Sequence, residues 1–273
     1  MRLWLKCIVA FWSIGSVAQA SPVELEGAFI EGGMVVGKTD EDNSVTLDDI
    51  ALELSPKGEF TLGFHRDAPE QQTLRVMFPD GRVSEQILTI ANRDYPIQRI
   101  DGLDQKKVTP PEEVLARIRA DAEKVWIARS VSSAEPAFSK TWIWPLKGVI
   151  TGVYGAQRIL NGIPKAPHYG IDIAVPEGTE IRAPTAGRVV LVEDLYYSGE
   201  TIILDHGQGI MSAFLHLQSS AVKVGDTVEQ GEMIGLSGNT GRSTGPHLDW
   251  RVNWFNHGRL DASLLVPPIA ESP

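Results

Sequence analysis

The sequence predicts a mainly β protein with three parts: a small N-terminal β-sandwich-like domain, a linking helix and a C-terminal antiparallel β-domain. Three observations lead to this prediction. Short apolar segments separated by turn residues fill the first hundred or so residues, and one later stretch has helical apolar periodicity. The remaining C-terminal stretch is rich in glycine and short strands, without a long helical period.

The first twenty residues have the pattern of a cleaved export signal. Arg2 and Lys6 precede an apolar run, and the small residues Ala18 and Ala20 flank a predicted cleavage site. The apolar run is about eleven residues, shorter than the roughly twenty that span a bilayer. We therefore expect residues 1–20 to be a signal peptide, with periplasmic localisation of the mature protein. The single cysteine, Cys7, lies in this segment, so we expect the mature chain to fold without disulfides.

The charge balance excludes some partner classes. The formal net charge is −10, and removal of Arg2 and Lys6 with the signal gives −10 − 2 = −12. Such an acidic chain is not expected to bind nucleic acid or an anionic membrane surface as its main partner. After signal cleavage, we expect no transmembrane segment.

Residues 21–104 are predicted to form the N-terminal β-domain. Its apolar segments alternate with turns, and Pro79-Asp80-Gly81-Arg82 is typical of a hairpin turn. No cluster of histidines or cysteines and no pair of acids stands out in it. A spacer or a module that positions substrate is therefore the favoured interpretation, rather than a second active site.

Residues 105–141 are predicted to contain the helix and a polar linker. Thr109 can cap the helix, Pro110 suits its first position, and Glu112 completes a capping box. The Glu, Arg and Lys residues between Leu115 and Trp126 are expected to be solvated. The residues expected on its apolar face are Leu115, Ile118, Ala122, Val125 and Trp126.

Residues 142–268 are predicted to form the domain that carries the chemistry. Five of the six histidines lie in it, and two sit in patterns suited to a metal: His168-x-x-x-Asp172 and His247-x-Asp249. Catalytic zinc takes three protein ligands and leaves one position open for water. Because alternate side chains of a strand point to the same face, His247 and Asp249 can both face one metal centre.

Several further motifs occur in a recognisable order. They are His206-Gly207-x-Gly209, Phe214-Leu-His216-Leu, Val224-Gly225-Asp226-x-Val228-x-x-Gly231, and Gly238-x-Thr240-Gly241-x-Ser243-x-Gly245-Pro246-His247. Together with the His168 motif, they resemble the lysostaphin-type zinc endopeptidases of bacterial cell wall over roughly residues 148–266. The resemblance implies the β-fold of that peptidase family, zinc on His168 and Asp172, and catalytic roles for His216 and His247.

One residue departs from the family pattern. The last motif of the family is usually H-x-H, whose second histidine is the third zinc ligand, whereas this chain has Asp249 at that position. In one interpretation Asp249 is the third ligand, at the cost of weaker Lewis acidity at the metal. In the other, the site is degenerate and the domain only binds. Retention of His168, Asp172, His216 and His247 favours the first interpretation.

The resemblance thus implies a zinc metalloendopeptidase that hydrolyses peptide cross-links of peptidoglycan. One of His216 and His247 would take a proton from water while the other stabilises the oxyanion. Tyr154, Arg158 and Asn161 are expected near the mouth of the site as substrate contacts. The alternative is a catalytically degenerate wall-binding protein or amidase activator.

Two roles are open for the N-terminal domain: it positions substrate, or it covers the groove until a regulatory protein partner moves it. If it covers the groove, a fragment that starts near Trp142 should cleave faster than the mature chain.

Overall fold

Two antiparallel sheets form the first part of the chain in the computed structural model, which describes residues 23–102, 105–133 and 136–268. One sheet has the order β1-β2-β5 and the other β4-β3-β6-β7. Alternate side chains of both sheets are buried, as expected for strands with one face in a core. The strands are β1 (Glu24–Gly27), β2 (Met34–Lys38), β3 (Ser44–Leu47), β4 (Ile50–Leu52), β5 (Glu59–Gly63), β6 (Gln71–Met77) and β7 (Val83–Thr89). The predicted signal peptide lies outside the described residues.

The predicted hairpin turn joins β6 and β7. Met77 pairs with Val83, and the Phe78 backbone N–H donates to the Arg82 carbonyl at 2.9 Å. Gly81 has a φ of 84°, a left-handed conformation that glycine adopts without steric cost. The turn prediction is confirmed.

The helical part consists of α1 (Gln105–Val108) and α2 (Glu112–Arg129). The N-cap of α2 is Pro111, and no side chain caps it, so the predicted capping box at Thr109 is wrong. The physical reason is the proline pair, because a residue that precedes proline is disfavoured in the helical region. Pro110 therefore cannot start the helix, which begins after Pro111.

The buried face of α2 also differs from the prediction. Val125 is half-buried and both Ala128 and Arg129 are buried, whereas Trp126 is 61% exposed and Ala122 is exposed. Trp126 lies about 100° round the helix from Val125, which turns it to solvent. Arg129, the last residue of α2, lies beyond the stretch for which a prediction was made.

The C-terminal part is built on a ten-stranded sheet whose strand pairs are all antiparallel. Its main path is β17-β14-β15-β16-β19-β12-β9, and β13, β18 and β20 pair beside it. The strands are β9 (Val149–Gly152), β12 (Ile171–Ala174), β13 (Glu180–Arg182), β14 (Gly187–Leu195), β15 (Gly199–Asp205), β16 (Ile210–Ser220), β17 (Thr227–Val228), β18 (Met233–Ser237), β19 (His247–Trp254) and β20 (Gly258–Leu260). Short 3₁₀ segments cover Pro136–Ser139 and Ala262–Leu264. The fold is mainly β, as predicted.

A small third sheet joins the two parts of the chain. Strand β8 (Ile97–Ile100) runs parallel to β10 (Gln157–Leu160), which pairs in turn with β11 (Ile163–Pro164). Residues assigned from the sequence to the N-terminal domain therefore share a sheet with residues of the C-terminal domain. The domain limits 21–104, 105–141 and 142–268 remain proposals.

The N-terminal sandwich also packs directly on the end of β19. The Trp254 indole N–H donates to Thr61 Oγ1 at 3.0 Å, and the Thr61 hydroxyl donates to the Gln208 carbonyl at 2.8 Å. A Cβ at Gly63 would lie 2.7 Å from Trp254 Cβ, so the close approach requires glycine at residue 63. A single apolar cluster contains buried side chains of both parts.

Candidate metal centre

Neighbouring strands bring the two aspartates of the candidate site together. Asp172 of β12 is directly opposite Asp249 of β19 in the antiparallel register. His168 lies four residues before Asp172, and two backbone hydrogen bonds fix it: its N–H donates to the Ala156 carbonyl, and its carbonyl accepts from the Gly155 N–H. The ligand atoms of His168, Asp172 and Asp249 all lie within 4.8 Å of one another.

The donor atoms of this triad suit a metal ion. His168 Nε2 is 3.1 Å from Asp172 Oδ1 and 3.5 Å from Asp249 Oδ2. Both ring nitrogens of His168 and Asp172 Oδ1 are buried without a hydrogen-bond partner among the described residues. Buried polar atoms without partners are costly, and a cation held between His168 Nε2 and Asp172 Oδ1 would remove that cost for these two atoms. One imidazole and two carboxylates form a donor set that zinc accepts.

An arginine backs each carboxylate. The Arg251 guanidinium donates to both oxygens of Asp249, at 2.9 and 2.5 Å, and Arg158 Nη2 donates to Asp172 Oδ2 at 2.8 Å. Burial opposes ionisation of Asp249, but Arg251 and His168 outweigh it and hold the pKa of this carboxyl well below its usual range. Asp249 is therefore an anion, and Arg251 offsets the negative charge that it brings to the triad.

The sequence reasoning did not identify Arg251. A signal for it existed, because Arg251 follows Asp249 at the same two-residue spacing by which Asp249 follows His247. All three side chains therefore belong to one face of β19.

Glycines provide the space for the two carboxylates. A Cβ at Gly152 would overlap Asp172 Oδ2, and a Cβ at Gly170 would overlap Asp249 Oδ1. Gly170 belongs to the His168-Tyr-Gly-Ile-Asp172 segment. This motif therefore supplies two candidate ligands, His168 and Asp172, and also the space that the third, Asp249, occupies.

The two remaining histidines lie side by side beside the triad. The ring centroids of His216 and His247 are 4.8 Å apart, and His247 Nε2 is 3.8 Å from Asp172 Oδ1. His216 Nδ1 is 2.8 Å from the Thr240 carbonyl and His247 Nδ1 is 2.8 Å from the Gly245 carbonyl. Because a carbonyl only accepts, each Nδ1 carries a proton, and in the neutral ring each Nε2 is left as an acceptor.

His216 is held in an unusual backbone conformation. Its φ is 64°, a left-handed value rare for a histidine in a strand, and its N–H donates to the Ser198 carbonyl at 2.8 Å. Such strain is concentrated at functional sites. Burial lowers the pKa of His216 to about 4, so the ring is neutral near pH 7 and able to accept a proton.

The three residues expected at the mouth of the site lie in three different settings. Arg158 is in the site, paired with Asp172. Tyr154 is only 2% exposed and its hydroxyl donates to the Arg259 carbonyl at 2.6 Å, so its expected place at the mouth is wrong. Asn161 lies in the turn between β10 and β11, with a φ of 47°, and its N–H donates to the carbonyl of Ile100, a residue that lines the groove. Asn161 therefore lies beside the groove, whereas Tyr154 belongs to the supporting fold.

The centre opens into a groove of about 360 Å³. His216, His247, Asp172 and Asp249 line it together with Arg158. Gln98 and Ile100 of β8 form part of its wall, so the segment before the helix contributes to the site.

Sequence comparison relates this domain to known peptidases. Residues 166–262 match the profile of Peptidase family M23. The chain is 45% identical over 87 residues to the peptidoglycan DD-endopeptidase ShyA of Vibrio cholerae, which covers 32% of this chain and 20% of that protein. It is 36% identical over 109 residues to the murein hydrolase activator EnvC of Escherichia coli, a match that covers 40% of this chain and 25% of that protein. The matches thus span a fifth to a quarter of these two curated relatives.

Structural comparison extends the likeness over most of the chain. A crystal structure of a putative peptidase M23 from Pseudomonas aeruginosa matches 88% of this chain and 96% of that chain, with 27% sequence identity and a TM-score of 0.66. The profile match covers all three triad residues and both flanking histidines. Residues 166–262 therefore match Peptidase family M23, the lysostaphin-type family that the motifs of this segment resemble.

Proposed function

We propose that this protein is a zinc-dependent endopeptidase that hydrolyses peptide cross-links of bacterial peptidoglycan in the periplasm. The observation that carries the proposal is the convergence of His168, Asp172 and Asp249, with unpartnered donor atoms, beside two histidines whose Nε2 atoms are acceptors. The match to family M23 and the named activity of ShyA support the reaction and the substrate class.

The proposed zinc ligands are His168, Asp172 and Asp249. When bound, zinc supplies a Lewis acid for the scissile carbonyl and a more acidic water. Arg251 orients the Asp249 carboxylate through two hydrogen bonds, and Arg158 does the same for Asp172 through one. Because each arginine withdraws charge from its carboxylate, the pair counters the loss of Lewis acidity expected from two anionic ligands.

His216 and His247 are the proposed catalytic residues. The Nε2 atom of a neutral His216 can take the proton of the attacking water, and His247, half-buried at the groove, can hydrogen-bond the developing oxyanion once protonated. Their rings are in mutual contact, so the two roles can also be exchanged between them.

A peptidoglycan digest tests the activity directly. We expect residues 21–273 loaded with zinc to convert purified cross-linked muropeptide dimers to monomers, and His247→Ala to abolish this while one zinc per chain remains bound. His257→Ala is the matched control, because His257 lies exposed in the turn before β20. Loss of zinc from His247→Ala would instead mean that His247 is a ligand.

Metal content tests the ligand assignment. We expect Asp249→Asn to weaken zinc binding, since an amide oxygen is a poorer ligand than a carboxylate. Asp261→Asn is the matched control: Asp261 is also buried and ion-paired with an arginine, Arg93, at 2.8 Å, but lies outside the triad. Equal zinc content in the two variants would contradict the assignment of Asp249.

One observation favours a second candidate function, that of a wall-binding protein or amidase activator without hydrolytic activity. Both Asp249 oxygens already accept hydrogen bonds from Arg251, and the EnvC relative is named as an activator. This alternative predicts binding to peptidoglycan by metal-free protein and no loss of dimers in the digest.

Periplasmic export belongs to this proposal. It rests on the sequence of residues 1–20, which lie outside the described residues. Among the described residues, no helix is long and apolar enough to span a membrane. A regulatory protein partner likewise remains a proposal.

A further inference from the structure

A second, larger cavity of about 800 Å³ lies next to the groove. Helix α2, the loop at His65–Asp67 and strands β15, β16, β19 and β20 enclose it. We call it the arginine cavity, because among the described residues that line it are six arginines: Arg66, Arg129, Arg158, Arg242, Arg251 and Arg259.

Arg129 is the residue that most needs a ligand. It is the last residue of α2, only 9% exposed, and its Nε is buried without a hydrogen-bond partner among the described residues. Burial and the nearby charges of Arg259 and Arg251 hold the pKa of Arg129 well below its usual range. A buried cation that faces two other cations is unfavourable unless an anion joins it.

The acids that line the cavity already have partners other than Arg129 and Arg259. Asp67 pairs with Arg66 at 2.5 Å, and Asp121 accepts from the Tyr196 backbone N–H at 2.8 Å. Asp249, behind the cavity wall, pairs with Arg251. Within the described part of the chain, neither Arg129 nor Arg259 has a carboxylate at ion-pair distance.

The cavity is continuous with the groove of the metal centre. Arg158, His216 and Arg242 line both. A ligand whose anionic end lies among the arginines can therefore extend past His216 to the triad. Apolar side chains also line the cavity, those of Ile118, Val125, Leu195, Ile203 and Leu215, and they suit small aliphatic side chains of a peptide.

We propose that the arginine cavity binds the free α-carboxylate of a peptide whose chain extends into the groove at His216 and His247. Arginine recognises carboxylates through paired N–H donors, and Arg129 and Arg259 are placed to supply them. The class of ligand rests on the proposed function. The enzyme would then favour bonds close to a free peptide carboxyl terminus over bonds in the middle of a chain.

Binding of a matched peptide pair tests the proposal. The probes are diacetyl-L-lysyl-D-alanyl-D-alanine and its C-terminal amide, which differ only in the terminal charge. Titration calorimetry uses zinc-loaded residues 21–273 carrying His247→Ala, so that no turnover interferes. We expect the acid to bind at least about tenfold more tightly than the amide, as for a charge-assisted hydrogen bond. Equal affinities would overturn the proposal.

Variants locate the site of discrimination. We expect Arg129→Met, and separately Arg259→Met, to reduce the difference between acid and amide to less than about twofold. Arg117→Met is the matched control, because Arg117 lies on the same helix but is exposed and pairs with Asp194 at 3.0 Å. If both cavity variants keep the full preference for the acid, the carboxylate binds elsewhere, at the metal for example, and the proposal is wrong.

The outcome is separable from that of the proposed function. Cleavage of muropeptide dimers without any preference for the acid would leave the peptidase standing and remove the arginine cavity as a carboxylate site. A preference for the acid that depends on Arg129, without cleavage, would support the carboxylate site and contradict the proposed peptidase activity.

Discussion

At the scale of single residues, Asp249 and Arg251 form one unit. Asp249 is 1% exposed, and a buried carboxylate without partners would be strongly disfavoured. Arg251 supplies two hydrogen bonds along one strand face, which makes an aspartate stable at a position where the family usually has histidine. A single Asp249→His exchange would therefore leave Arg251 without its carboxylate, so restoring the usual H-x-H pattern requires a change at both residues.

Gly170→Ala is expected to disturb the metal centre without a change of ligand. The added Cβ would overlap Asp249 Oδ1 and lie 2.7 Å from Arg251 Cγ, so the carboxylate and its arginine must move. Changes in groups that orient a metal ligand cost roughly 10- to 100-fold in metal affinity. We expect a loss of this size in zinc affinity, measured by competition with a chelating dye.

Gly245→Ala is the control for that measurement, because a Cβ at Gly245 has no atom within 4 Å. It should bind zinc like the unmodified protein. Normal zinc affinity in Gly170→Ala would show that Asp249 does not need its present position to hold the metal.

His206 is expected to make the fold sensitive to mild acid. Its Nδ1 bonds the Ala186 carbonyl and its Nε2 the Ser212 hydroxyl, both at 2.7 Å, and its ring packs on Trp142. These contacts give His206 a structural role in the fold. Burial lowers the pKa of His206 from 6.5 to about 4.

The sign of the pH effect follows from proton binding. Between pH 6.5 and about 4, the unfolded chain binds the proton and the folded chain does not, so the free energy of unfolding falls as the pH falls. From pH 7 to pH 5, His206 should contribute a loss of about 2 kcal/mol. Urea denaturation of the unmodified protein and of His206→Gln at both pH values measures this difference, and an equal loss in the two proteins would refute it.

At the scale of elements, strand periodicity predicted more than helix patterning did. The spacing of His247 and Asp249 correctly implied a shared face of β19, because side-chain alternation in a strand is fixed by the backbone. The helix was expected in the right region, but its start was displaced by the Pro110-Pro111 pair, and Trp126 is exposed although it was expected on the buried face. The buried face of a helix depends on the surface against which the helix packs. For α2 this surface includes β14 and the lining of the arginine cavity, and local sequence patterns do not specify it.

The pairing of strands that are distant in sequence was the other feature that sequence patterns did not predict. The opposition of Asp172 and Asp249 depends on β12 and β19 being neighbours, although 77 residues separate the two aspartates (249 − 172). The resemblance to a family implied that the two residues meet, whereas local periodicity did not. The resemblance did not extend to strand β8, so its pairing with β10 was not predicted.

At the scale of the whole molecule, the N-terminal part supports the groove. Gln98 of β8 accepts a hydrogen bond from Arg158 Nε at 3.2 Å, and Arg158 in turn holds Asp172. Thr61 and Gly63 pack on Trp254 at the end of the strand that carries Asp249. These contacts favour the interpretation that the N-terminal part positions the site over the interpretation that it covers it.

A fragment that starts at Trp142 separates these two interpretations. It lacks β8 and the sandwich, so the edge of β10 and the apolar surface around Trp254 become exposed, and Arg158 loses Gln98. Exposed strand edges and apolar patches reduce stability and promote association. We expect a lower melting temperature and slower cleavage of muropeptide dimers than for residues 21–273, whereas a covering domain predicts faster cleavage. Gln98→Ala in the intact chain tests the contact with Arg158 alone. If the N-terminal part positions the site, this variant should also cleave more slowly, with the sandwich still folded. Unchanged or faster cleavage in both proteins would mean that the N-terminal part acts as a cover.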